Sequence, residues 1–283
     1  MARVLACIDG SIYSASTAGY AAWAAARLEA SVLLLQVIGR REAGSEDRSG
    51  ALAPGARRKV LEELAELDAQ RARLIQQQAR LDLQAAEAAL REVGVADVKT
   101  LLRNGDLLDA LADREGETDL FVLGKRGGAA DFAKGHLGSN LERILRAAKK
   151  PVLIAAREFS APPKRFVLAF DGRASALRAV EELSRSPLVQ GMSGLVVHAG
   201  DPAGEGRRLI EAAASQLRAG GLEVETHAEA GETAAVIRRV IDEGGPDLLV
   251  MGAYGHSRLR TLMIGSTTTE MIRTNRAPVL VYR

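Results

Sequence analysis

The residues of this chain best suited to chemistry are glycines and hydroxyl side chains near its end, in the pattern Gly252-x2-Gly255-x9-Gly265-Ser266. A second pattern, Gly124-x2-Gly127-x10-Gly138-Ser139, lies earlier. Each follows a short apolar run of strand type, Leu248 to Met251 or Leu120 to Leu123, and each opens a helical run. Glycine lets a backbone come close to a ligand. The free N–H groups and the dipole at a helix N-terminus favour negative charge. The chemistry expected of both stretches is therefore phosphate binding. Ser266, Thr267 and Thr268 add hydroxyl donors, and Arg258 and Arg260 add cations; Lys125, Arg126 and Lys134 do so in the earlier stretch. The structural alternative is a turn in which serine merely caps the helix.

Asp9 and Asp171 each end an apolar run and are followed by glycine. A carboxylate there shares a sheet edge with the glycine loop and suits a ribose hydroxyl or an adenine amine. Its alternative role is to cap the next helix. Other chemistries find no pattern. GxxxxGK[ST] is absent, and no GxGxxG follows a first strand. His136, His198, His227 and His256 lack metal-ligand spacing, and no nucleophile elbow or Ser-His-Asp order is assignable.

The elements that must position these residues follow from the apolar pattern. Of 283 residues 47% are hydrophobic and 26% charged, a composition that supports a packed core. Thirty-eight basic residues against 36 acidic ones leave a net charge of +2. That argues against nucleic acid as the main partner, as does an aromatic content of 4%. No apolar run approaches the roughly 20 residues of a membrane span. Met1-Ala2-Arg3 leads into a strand without a signal-peptide pattern, so the expected compartment is the cytoplasm. Cys7, the only cysteine, sits in an apolar run and is expected to be inert.

Strands are expected at Val4–Ile8, Val32–Ile38, Val98–Leu102, Leu120–Leu123 and 151–155, with helices between them. Ser14 or Ser16 is the expected cap of the first helix, and a helix is expected from Asp106 to Glu115. Continuous apolar strands alternating with helices predict an α/β fold with a parallel five-stranded sheet. Arg57 to Val93 carries no Gly or Pro and predicts one long helix, with Val60, Leu64, Leu67, Leu74 and Leu81 at heptad spacing. It reads either as a surface helix overhanging the sheet or as a contact with a second subunit.

After a linker with Pro162-Pro163 the pattern restarts. Asp119-Leu120, Val122 and Gly124 answer Asp247-Leu248, Val250 and Gly252; Pro151-Val152-Leu153 answers Pro278-Val279-Leu280. The chain is two tandem domains, 1–157 and 164–283, each with the same open parallel sheet and helices on both faces.

These repeats resemble a tandem member of the universal stress protein (UspA) family. Its ATP-binding branch carries G-x2-G-x9-G-[ST], which Gly252, Gly255, Gly265 and Ser266 match; Gly124, Gly127, Gly138 and Ser139 match with one extra residue. The resemblance implies strand order 3-2-1-4-5. It maps a first-strand aspartate to Asp9 and Asp171, and a main-chain adenine contact to Val37 and Ala199. Phosphate and ribose contacts map to the glycines, Ser139, Asn140, Ser266 and Thr267. It also implies pairing of domains through their last strands, here Val152–Ala155 and Val279–Tyr282 within one chain.

The function expected is a cytoplasmic stress-response protein that binds ATP, or AMP or ADP, with Mg or Mn held through the phosphates. The nucleotide acts as a regulatory ligand toward a protein partner, with little or no turnover, and a homodimer is one possible assembly. The alternatives are a slow ATPase or a nucleotidyl- or phosphoryl-transfer enzyme, and a scaffold with vestigial pockets.

Overall fold

Short runs of valine, leucine and isoleucine fold as strands buried on both faces, which is how a parallel sheet covered by helices reads. The computed structural model describes residues 2–39, 54–125, 137–156, 158–244, 248–253 and 264–283. The first half runs β1 (Arg3–Cys7), α1 (Ser14–Leu28), β2 (Ser31–Ile38), α2 (Pro54–Glu92), β3 (Val98–Asn104), α3 (Leu107–Ala112), β4 (Leu120–Gly124), α4 (Ser139–Ala147) and β5 (Val152–Ala155). The second runs β6 (Arg165–Ala169), α5 (Ala174–Arg185), β7 (Ser193–Ala199), α6 (Gly204–Ala219), β8 (Glu223–Glu229), α7 (Thr233–Gly244), β9 (Leu248–Gly252), α8 (Ser266–Thr274) and β10 (Val279–Tyr282).

Each half has the order 3-2-1-4-5, and the halves join as one ten-stranded sheet, β3-β2-β1-β4-β5-β10-β9-β6-β7-β8. All pairs within a half are parallel. The seam is antiparallel, with Leu280 opposite Leu153. Pairing β5 with β10 covers two edges that would otherwise present free backbone groups.

The apolar cores follow the two faces of this sheet, not the two halves. One face packs α1, α2, α5 and α6; the other packs α3, α4, α7 and α8. Alanines permit close helix approach: Ala21 and Ala24 of α1 are fully buried. Gly19 serves the linker, since a Cβ there would stand 2.7 Å from the Phe159 ring. Phe159 in turn meets Tyr20 edge-on at 4.8 Å. Arg27 of α1 donates to the carbonyls of Leu188 and Gln190, and Arg283 Nη1 donates to Ala147 O at 2.9 Å, tying the halves beyond the seam.

Two helix starts differ from expectation. Tyr13 precedes α1 and gives it no side-chain cap. Ser14 Oγ instead donates to Asp9 Oδ1, and Ser16 Oγ to the carbonyls of Tyr13 and Ala156. Asp106 is not the first residue of a long helix but the N-cap of a short one, accepting from the N–H groups of Leu108 and Asp109. The chain then tightens into a 3-10 turn at Glu115–Glu117.

The same carboxylate clamps α4, accepting two hydrogen bonds from Arg143 at 2.7 and 3.2 Å. The Arg143 hydrogen bond foremost, then those of the cap, hold the Asp106 carboxyl below the usual carboxylate range against the effect of burial. Glu232 accepts from the N–H groups of Ala234 and Ala235 at the start of α7, and these bonds likewise lower its pKa. Such groups add stability that is complete above the unfolded-chain value, about 4, and is lost as pH falls through the folded value. Asp106→Asn with Glu232→Gln should therefore flatten the acid limb of a pH series of urea-unfolding curves. An unchanged limb would place acid sensitivity elsewhere.

Candidate functional site

The C-terminal ends of the central strands lie along one edge of each half, and helix N-termini face that edge. In the second half three hydrogen bonds build the frame of the glycine loop. Gly265 N–H donates to Ala253 O at 3.1 Å, and Ala253 N–H to Tyr282 O at 2.7 Å. Thr268 Oγ1 donates to Gly252 O at 3.0 Å. These bonds bring the start of α8 onto the end of β9. Gly265 precedes α8 without a side-chain cap, so the glycine leaves the first-turn N–H groups without a capping oxygen of its own. Ser266 is exposed and Thr267 half-buried beside them. Thr268 is buried and its single O–H is committed to Gly252. Its part in this structure is to fix the loop's departure. Gly255, Arg258 and Arg260 lie outside the described residues.

Gly252 is required by its neighbour. A Cβ there would stand 2.3 Å from Ser175 Oγ and 3.1 Å from Ala176 N, at the start of α5. Nothing in the sequence spacing marks Ser175 as this partner.

Asp171 follows β6 at the same edge and is exposed. Its Oδ1 accepts from Arg173 N–H at 3.0 Å, and Oδ2 lies 3.7 Å from Arg173 Nη1. Asp9 does the same in the first half: Oδ1 accepts from Ser11 N–H at 3.0 Å and from Ser14 Oγ at 3.3 Å. Both aspartates thus hold their own turns with one oxygen, closed by Gly10 at φ 71° and Gly172 at φ 72°. Ala199 ends β7 half-buried opposite Glu229, and Val37 stands opposite Arg103 near the end of β2.

His198 was not singled out as a site residue, yet it underlies the edge beside Ala199. Its Nδ1 lies 3.0 Å from Phe170 O. A carbonyl only accepts, so the proton of that bond sits on Nδ1. Methyls at Gly200 and Gly206 would meet Nε2 at 2.5 and 3.0 Å, so two glycines make room for this ring. The Gly200 and Gly206 positions flanking a strand end were the one sequence signal for it.

The first half is built differently. Gly124 ends β4, and Gly138 precedes α4 without a side-chain cap, with Ser139 and Asn140 exposed. Lys125 Nζ donates to Asn275 O at 3.0 Å, at the C-terminal end of α8 in the other half. A cation expected at a phosphate loop is bound there instead to the carbonyl end of a helix, where the dipole favours it. Above the Asp9 turn stands Asp82 of α2, whose Oδ2 is 2.7 Å from the place of a Cβ on Gly10. Leu209 of α6 takes that place over Gly172, at 3.3 Å. One edge is therefore roofed by a second carboxylate and the other by an apolar side chain. Gly127, Arg126 and Lys134 lie outside the described residues. Cys7, beneath this edge, is half-buried, and burial first and the Asp9 charge second push its thiol pKa up, as fits an inert thiol.

Among the described residues no helix is long and apolar enough to cross a membrane, and no three His, Cys, Asp or Glu side chains are grouped to hold a metal ion.

Known proteins place this architecture. The Universal stress protein family model matches residues 1–156 and again 163–283. Universal stress protein Slr1230 of Synechocystis sp. is 34% identical over 288 residues, covering 100% of both chains. A universal stress protein from Archaeoglobus fulgidus shares the fold with a TM-score of 0.70 at 20% identity, over 99% of this chain and 98% of that one. A functionally unknown protein of Pseudomonas aeruginosa PAO1 shares it with a TM-score of 0.60 at 18% identity, over 99% and 92%. With the family matched twice, a full-length relative and the duplicated 3-2-1-4-5 sheet, the chain belongs to the universal stress protein family as a tandem of two of its domains.

Proposed function

We propose that the second half binds ATP or a related adenine nucleotide, AMP or ADP, at the edge formed by β6, β7, β9 and α8. The observation that carries this reading is the uncapped N-terminus of α8, held by hydrogen bonds against the end of β9. An anion is stabilised at such a terminus by free N–H groups and the helix dipole. Asp171 and the half-buried Ala199 stand on the neighbouring strand ends, where a ribose and a base would lie. Leu209 gives that end an apolar roof suited to a planar base. A Mg or Mn ion would enter on the phosphates, since the described residues offer no carboxylate cluster for it. Among the described residues no side chain at this edge is set against a reacting group as a general base, and we read the nucleotide as a ligand that changes conformation or partner binding in the cytoplasm, not one that is turned over.

Equilibrium dialysis with labelled ATP is the direct test. Binding at up to millimolar nucleotide, weakened about tenfold or more by Gly265→Val, is expected. No binding by the native chain, or equal binding by the variant, would overturn the reading. A single-turnover assay that yields ADP or AMP would replace the regulatory role with an enzymatic one.

The first half supports a vestigial pocket better. Asp82 and Asp9 both bring negative charge to its nucleoside end, and Lys125 is engaged at the seam. One nucleotide per chain is the stoichiometry expected.

A further inference from the structure

The amino-terminal part of α2 carries an apolar stripe that this chain leaves in water. α2 has 39 residues where its counterpart α6 has 16. From Val60 onward its buried residues, Ala79, Leu83, Ala86 and Leu90, all fall in the carboxy-terminal part, against the sheet. Val60, Leu67, Leu74 and Leu81 recur every seventh position and are 42%, 60%, 65% and 52% exposed, the first three ahead of Ala79 and the last between Ala79 and Leu83. Leu64, Arg71 and Gln78 follow the first three by four positions and complete the 4-3 alternation of a coiled-coil seam. The stripe runs for about 30 Å at 1.5 Å per residue.

The charges along the helix select an occupant. Glu63, Glu66 and Asp68 form an acidic block, and Arg71, Arg73 and Arg80 form a basic block directly after it. Two copies in parallel register would set like against like. Two copies running antiparallel set each acidic block against the other's basic block. We propose that two molecules of this chain pair through α2 as an antiparallel coiled coil, with its two-fold axis beside Gln70 and Arg71. About that axis Leu67 packs on the partner's Leu74, and Val60 on the partner's Leu81. Asp68 faces Arg73 of the partner subunit, and the four positions Val60, Leu67, Leu74 and Leu81 map onto one another. Arg71 and Gln78 are polar residues on the seam, which set register at a cost in stability. The contact leaves the β5–β10 seam and the strand-end edge of the second half untouched, so it is independent of the proposed nucleotide binding.

Sedimentation velocity of the full chain over a range of concentrations tests the pairing, with circular dichroism confirming that each variant is folded. A monomer–dimer equilibrium is expected. Leu67→Glu with Leu74→Glu should weaken it about a hundredfold or more, because two anchors are lost and charges are placed on the seam. Asp68→Arg should weaken it, and adding Arg73→Asp to the same chain should restore it. Val60→Cys chains should form an oxidised cross-link with Leu81→Cys chains and not with each other. A native chain that is monomeric throughout overturns the proposal, whether or not it binds anionic phospholipid vesicles. So does a dimer untouched by the leucine variants, or a Val60→Cys homodimer, which would mean a parallel pair.

Discussion

Replacing Leu280 by alanine should lower the free energy of unfolding by about 2–5 kcal/mol, the range for deleting a buried leucine side chain. It should also leave one cooperative transition. Leu280 and its partner Leu153 are both fully buried, on the antiparallel seam between the halves. The core behind them contains residues of both halves, from Val4 to Tyr282, on a single sheet face. The second core does the same on the other face. A cavity at the seam is therefore felt by both halves. The measurement is a urea titration followed by tryptophan fluorescence, which reports Trp23 in the first half, and by far-UV circular dichroism, which reports both. Coincident curves shifted together are expected. If circular dichroism instead shows two steps and Leu280→Ala moves one alone, the halves unfold independently. By the same reasoning residues 1–157 or 164–283 expressed alone expose the β5 or β10 edge and should self-associate.

Gly252→Ala should destabilise the chain by about 1–3 kcal/mol, as overpacking does, and should abolish the proposed nucleotide binding. The new methyl would stand 2.3 Å from Ser175 Oγ, 2.9 Å from Ser175 Cβ and 3.1 Å from Ala176 N. The conflict is resolved only if the end of β9 and the start of α5 move apart. That movement carries Gly252 O away from Thr268 Oγ1 and loosens the seat of α8. Ser175→Gly in the same chain removes the two closest contacts and should restore part of both stability and affinity. Native stability in Gly252→Ala would show that the glycine is not needed for this approach. Recovery of stability without affinity in the double variant would separate the packing role of Gly252 from the loop geometry.

Much of this was legible in the residues. The apolar runs at Val32–Ile38 and Leu248–Met251 gave strands within a residue or two of those observed, β2 at Ser31–Ile38 and β9 at Leu248–Gly252. Such runs reflect burial on both faces, and that requirement is local to the strand. Ser14 or Ser16 was expected to cap α1 and neither does, while Asp106, expected within a helix, caps one, because serine and aspartate bond whichever backbone group lies nearest, and that is set by the turn geometry. Lys125 was expected at its own glycine loop and is bound across the seam to Asn275 O. Two residues 150 positions apart meet there only because β5 pairs with β10. The pairs Gly252–Ser175 and Gly10–Asp82 have the same character: each glycine was visible, and the atom that requires it was not.

By itself the sequence determined the element types, the duplication and the two strand-end edges, because each follows from hydrophobic period, glycine placement or direct self-comparison. The tertiary structure decided the rest. The antiparallel seam turns two five-stranded sheets into one and merges their cores by face. It also decided that Thr268 holds the loop while Ser266 stays exposed, that a carboxylate roofs one edge and a leucine the other, and that Leu67, Leu74 and Leu81 stay exposed. These outcomes depend on which distant groups the sheet order brings within bonding distance, and no local periodicity encodes that order.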